Sequence, residues 1–61
     1  MEELRSKFMK IFANIPENLR EDILLVFDKK PYTWNSAYFE IKEKTNLGGE
    51  ILKTLKEIEI I

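Results

Sequence analysis

The side chains able to do chemistry in this chain are few in kind. It has no histidine and no cysteine, so acid–base or nucleophilic work would fall to carboxylates, lysines, tyrosines and hydroxyls. Glu40 and Glu43 lie three apart, a spacing that puts two acids on one face of a helix. Lys42 and Lys44 alternate with them, which describes a solvated charged surface better than a tuned pair. Gly48-Gly49 ahead of a helix could cradle an anion on free backbone N–H groups, but no phosphate-loop spacing and no Lys-Ser/Thr pair follows. A chain of 61 residues also has little volume for a substrate cavity. The residue inventory points to a binding module, not an enzyme, with no cofactor, metal or small-molecule ligand expected.

Neutralising phosphate is the other available chemistry, and lysines carry it. Lys29, Lys30, Lys42, Lys44 and Lys53 come from three stretches of chain that would converge in a small helical domain. Gly49, Glu50, Lys53 and Thr54 sit near the start of the last expected helix, the end whose side chains reach base edges in a groove-reading helix. Glu50 repels phosphate but can accept from a cytosine amino group. The overall balance opposes strong binding. Net charge is −1, the pI is about 5.4, and Lys53 and Lys56 are outweighed from residue 48 onward by Glu50, Glu57 and Glu59.

Four helices are expected to position these groups, within one domain at most. Leu4, Phe8, Ile11, Phe12 and Ile15 form one apolar stripe, predicting an amphipathic helix over residues 2–13. Pro16 interrupts it. Leu19, Ile23, Val26 and Phe27, widened by Leu24 and Leu25, predict a nearly surrounded central helix over 17–29, stopped by Pro31. Thr33 is a good N-cap for a third helix over 34–45, with Trp34, Ala37, Tyr38 and Ile41 on one face. Asn46 is expected to take left-handed angles, Leu47 to plug the turn, and Gly48-Gly49 to open a fourth helix over 49–58 with Ile51, Leu52, Leu55 and Ile58 apolar. The expected fold class is all-α, with Trp34, Tyr38, Ile41, Leu47, Leu55, Ile23 and Phe27 buried around one centre.

Residues 31–61 resemble the trihelical core of the helix-turn-helix and winged-helix families. Pro31-Tyr32-Thr33-Trp34 looks like the short strand and capped start of the motif's positioning helix. Ile41 and Thr45 fall at its apolar positions, Asn46 at the left-handed turn, Leu47 at the plug, and Ile51 or Leu52, Leu55 and Ile58 on the recognition helix. Lys42 stands where the family prefers a small residue, and the sequence ends where the wing's first strand would begin. The resemblance implies duplex DNA as partner and a role in transcription regulation. Asn46-Leu47-Gly48-Gly49 equally describes an ordinary bundle corner.

Protein interaction is the rival reading. Phe8, Met9, Phe12 and Ile15 give the first helix more apolar surface than one side of a small core needs, and Ile60-Ile61 are not naturally left in water. Both features suggest a homodimer or protein partner. Membrane attachment through Arg5, Lys7 and Lys10 is opposed by Glu2 and Glu3. The longest apolar run, Ile23–Phe27, is far short of a membrane span, so a cytoplasmic location is expected. Frequent Ile, Lys and Glu with no Gln fit a thermophilic source.

Overall fold

The apolar stripe at the start of the chain does form a helix, α1 (Glu2–Ala13), with Glu2 and Glu3 in its first turn, where the helix dipole favours acids. The computed structural model describes residues 2–61. Arg20 closes α1 from outside the helix. Its guanidinium donates to the carbonyls of Ile15 at 3.1 Å and Phe12 at 3.4 Å, and it lies 4.4 Å from the centre of the Phe12 ring. One side chain thus satisfies carbonyls at the helix end and covers an aromatic face.

The expected central helix over 17–29 does not exist. A 3-10 turn (Glu17–Leu19) is followed by a hairpin of β1 (Ile23–Phe27) and β2 (Lys30–Thr33). Among the described residues the domain is therefore mixed, three α-helices with one two-stranded antiparallel sheet, and not an all-α four-helix bundle. The physical reason lies in the run Ile23-Leu24-Leu25-Val26-Phe27. A five-residue apolar stretch bounded by Asp22 and Asp28 is strand length, and periodicity alone cannot separate a short buried strand from a piece of helix. Asp28 and Lys29 both take positive φ, 51° and 66°, the primed two-residue turn whose twist matches paired strands. Alternation is visible once the strand is formed: Leu25 is buried, Val26 exposed and Phe27 half-buried. A register shift between Ile23 and Leu25 marks a bulge at Leu24. Ile23, expected in the core, is 62% exposed.

Thr33 caps α2 (Trp34–Lys42) as expected. Its hydroxyl accepts from the Ser36 N–H at 3.0 Å. The Thr33 N–H donates to Ser36 Oγ at 2.8 Å, which completes a capping box. The helix stops at Lys42, short of residue 45, because Lys44 turns left-handed at φ 56°. The Thr45 N–H then reaches the Glu40 carbonyl at 3.2 Å and the Lys44 N–H reaches that of Ile41 at 3.2 Å, the paired bonds of a Schellman ending. Asn46 is accordingly not the turn residue. It is the first residue of α3 (Asn46–Glu57), whose N-cap is Thr45, accepting from the Gly48 N–H at 2.9 Å.

Gly48 and Gly49 lie inside the first turns of α3, three residues earlier in the fold than expected of a helix opening at 49. Gly48 is required there. A Cβ at this position would overlap the Glu40 carbonyl, 2.7 Å from its carbon and 3.0 Å from the Ile41 Cα. The small buried residue of α2 is Ala37, while Lys42 is exposed. α1 packs on both α2 and α3, and the hairpin packs on α2. The core is Phe8, Phe12, Leu25, Ala37, Ile41, Ile51, Leu52 and Leu55, with Phe27, Trp34, Tyr38, Leu47 and Ile61 half-buried against it.

Two substitutions separate close packing from helix preference. Gly48→Ala is expected to destabilise the fold by about 1–3 kcal/mol or more, because backbone must move to admit the methyl group. Gly49→Ala, on the half-exposed side of the same helix, is expected to stabilise it by roughly 0.5–1 kcal/mol. Denaturant midpoints measure both, and equal shifts would contradict the crossing described. Ile41 is fully buried, so Ile41→Ala is expected to cost about 2–5 kcal/mol.

Candidate nucleic-acid interface

The twelve residues of α3 divide into a buried side and an outward one. Gly48, Ile51, Leu52 and Leu55 are buried, and at 100° per residue they occupy one side of the helix. The opposite side carries Asn46, Glu50, Lys53 and Glu57, all exposed. Gly49 and Lys56 flank this stripe on one side and Thr54 on the other. The flank with Gly49, Lys53 and Lys56 is basic, and the one with Glu50 and Glu57 is acidic. Lys53 and Glu50 meet across the boundary, 3.9 Å apart and both more than half exposed, which in water contributes little to stability. Thr54 is less available than expected, since its hydroxyl donates to the Glu50 carbonyl at 3.0 Å.

The corner before α3 supplies two more of the expected lysines. Lys42 ends α2 and Lys44 occupies the left-handed turn, both exposed. The corner is rigidly specified. The Thr45 hydroxyl caps α3, contacts the Glu40 carboxylate at 2.7 Å and lies 3.3 Å from the Glu40 carbonyl. Arg5 of α1 donates to the Ile41 carbonyl at 3.1 Å, tying the first helix to the same corner, and pairs with Glu2 on its outer side. Of the expected nucleic-acid-binding residues, Lys42, Lys44, Gly49, Glu50, Lys53 and Thr54 therefore lie on α3 or at the corner that precedes it. Lys29 and Lys30 do not join them by any packing of their own element, for they sit at the tip of the hairpin, whose helix partner is α2.

The expected partner surface is redistributed as well. Phe8 is fully buried and Phe12 nearly so. Phe8 stacks on Trp34 with centroids 6.0 Å apart, and Phe12 on Tyr38 at 4.2 Å and 9°. The apolar excess of α1 is consumed by its own domain, because the hairpin leaves α1 as the third helix of the core. Met9 is half-buried, Ile61 packs back on the core, and Ile60 is 42% exposed. Arg20 was not singled out by sequence, and Arg5, Asn46 and Lys56 were given other places there: a membrane-facing set, the left-handed turn and the charge balance of the last helix. Asn46 and Lys56 follow once Thr45 is taken as the cap, since the outward stripe then starts at Asn46.

No helix among the described residues is long and apolar enough to cross a membrane. No group of three or more acids among them could hold a metal ion. No protein-family model, curated protein or solved structure matches this chain.

The turn generates a stability prediction of its own. Lys44 holds a left-handed conformation that costs a side-chain-bearing residue about 1 kcal/mol and glycine almost nothing. Lys44→Gly is expected to raise stability by roughly 0.5–1 kcal/mol, read from thermal or denaturant unfolding. A loss of stability would contradict the assigned turn.

Proposed function

We propose that the α2–turn–α3 corner is a helix-turn-helix and that the chain is a small duplex-DNA-binding module of the kind used in transcription regulation. The observation that carries this reading is the separation within α3 of a wholly buried face from an outward stripe that begins at the first helical residue. A three-residue turn, Glu43 to Thr45, holds that stripe at a fixed angle to α2. Asn46 and Glu50 have the chemistry to read base edges, Asn by pairing with adenine and Glu by accepting from cytosine. Gly49 leaves room for close backbone approach. Lys42, Lys44, Lys53 and Lys56 supply the phosphate contacts, which position the helix and carry no sequence information.

Binding through this face is weak per copy and strongly salt-dependent. Four phosphate contacts imply a fall in affinity of roughly a hundredfold for a fourfold rise in salt. The acids on the same helix, Glu50 and Glu57, lower the attraction further and leave specificity to the few groups that reach bases.

Protein interaction on the same scaffold is the second reading. It is favoured by Phe39, which is 58% exposed on α2, and by Ile58 at 52% and Ile60 at 42% beyond the end of α3. These are large apolar side chains near a helix whose outward charges cancel.

Fluorescence anisotropy with duplex DNA at two salt concentrations separates the readings. Under the DNA reading, Lys53→Glu weakens binding by about 1 kcal/mol or more while Lys10→Glu on α1 changes it little. Absence of binding at low salt and tens of micromolar protein, with Lys53→Glu still folded, would remove the DNA reading and leave protein interaction in its place.

A further inference from the structure

The hairpin has an edge that no other described residue uses. Two-stranded sheets have two edges, and unpaired backbone groups on an edge template the addition of another strand. The two edges here differ. In a hairpin with a two-residue turn, the pair flanking the turn, Phe27 and Lys30, exchanges hydrogen bonds. The next pair, Val26 and Pro31, therefore directs its backbone groups away from the partner strand. On β2 the outward position is Pro31, which has no N–H to offer. On β1 it is Val26, which has both N–H and C=O. Among the described residues, no backbone or side-chain hydrogen bond from outside the hairpin engages residues 23–27.

The surroundings of this edge say what fits it. Ile23 and Val26 are 62% and 65% exposed, so the outer face beside the open edge is apolar. The bulge at Leu24 confines the usable edge to the stretch around Val26. Charge is polarised along the strand. Glu21 and Asp22, both exposed, precede it, while the turn that follows holds Asp28, Lys29 and Lys30 and is net positive. Arg20 does not offset the acids outward, because its guanidinium is engaged with Phe12 and Ile15. Glu21 accepts a hydrogen bond from Asn35 at 2.6 Å, and among the described residues the Asp22 side chain makes no hydrogen bond or ion pair. A strand that is acidic before and basic after its pairing residue is complementary to itself when run antiparallel.

We propose that β1 is a homodimer edge. Two copies join antiparallel across a two-fold axis at Val26, forming one four-stranded sheet. Each Val26 N–H donates to the other copy's Val26 carbonyl, and Glu21 and Asp22 of each copy lie toward Lys29 and Lys30 of the other. Ile23 and Val26 of both copies then adjoin on one face, which shields apolar surface that a single copy leaves in water. The interface is small, so the dimer is a weak one that forms with rising concentration.

Sedimentation velocity across a concentration series, at low and high salt, tests this. The wild-type protein is expected to shift from monomer to dimer at high micromolar concentration, less so at high salt. Val26→Pro removes the outward N–H and leaves the hairpin ladder intact, and it is expected to weaken dimerisation at least about tenfold with helical circular dichroism retained. Val26→Thr keeps the N–H and stays dimeric. Should Val26→Pro unfold, charge decides. Asp22→Lys alone weakens the dimer, and combining it with Lys29→Glu and Lys30→Glu restores it. Amide exchange at Val26 is expected to slow as concentration rises. A wild-type monomer at high micromolar protein overturns the proposal. So does a folded Val26→Pro protein that dimerises as tightly as wild type, or a triple charge swap no tighter than Asp22→Lys alone.

Discussion

Backbone meets backbone where α3 crosses α2. At Gly48, α3 crosses α2 so tightly that the carbonyl of Glu40 and the Cα of Ile41 occupy the space of a missing side chain. Most other features answer to that crossing. It fixes how deep Ile51, Leu52 and Leu55 sit against Ile41 and Ala37, all of them buried. It requires the chain to reverse within three residues, which forces Lys44 into left-handed angles and makes Thr45 both the end of one motif and the cap of the next helix. α1 then closes the remaining side. Phe8 and Phe12 enter as a stacked pair against Trp34 and Tyr38, and Arg5 bonds to the carbonyl of Ile41 at the corner itself.

The hairpin takes the place that a fourth helix was expected to fill, and its economy is different. A helix over 17–29 would have buried a wide apolar face. The hairpin buries Leu25, with Leu24 and Phe27 half-covered, and leaves Val26 and Ile23 outside. The polar backbone is instead satisfied at its base, where Trp34 donates to the Asp22 carbonyl at 3.2 Å and Asn35 to that of Arg20 at 3.0 Å. Those two bonds use N–H groups of the first turn of α2, which have no partner within the helix. The hairpin is thereby attached to the start of the helix it packs on.

What was legible in the sequence tracks how local its cause is. The stripe of α1, the Thr33 cap and the buried faces of α2 and α3 all follow from spacing and from one side chain acting on nearby backbone. The turn was misplaced by two residues because Asn46 tolerates left-handed angles better than Lys44 does. Tertiary geometry overrode that preference, since a cap at Thr45 and a glycine at 48 are needed together. The strand was missed because Ile23–Phe27 has no polar residue to reveal a period of two, and because Asp28-Lys29 lacks the glycine that usually announces a primed turn. The burial of Phe8 and Phe12 follows from the same strand, since the hairpin leaves open in the core the space that a helix over 17–29 would fill.

The candidate interface and the hairpin edge ask different things of the same small set of charges. On α3 the lysines and glutamates stand on adjacent flanks of one exposed stripe, so net attraction to a polyanion is weak and geometry must supply selectivity. On the hairpin the charges are separated along the strand, which gives orientation instead of strength. A domain of this size and near-neutral charge gains little from either surface alone. Joined through the β1 edge, two copies would present two such stripes at a fixed spacing. The second stripe then acts at high effective concentration once the first is bound. Under the proposed DNA reading, the weak, salt-sensitive contacts of one copy would be reinforced in this way, which would link the polarity of β1 to the modest charge of α3.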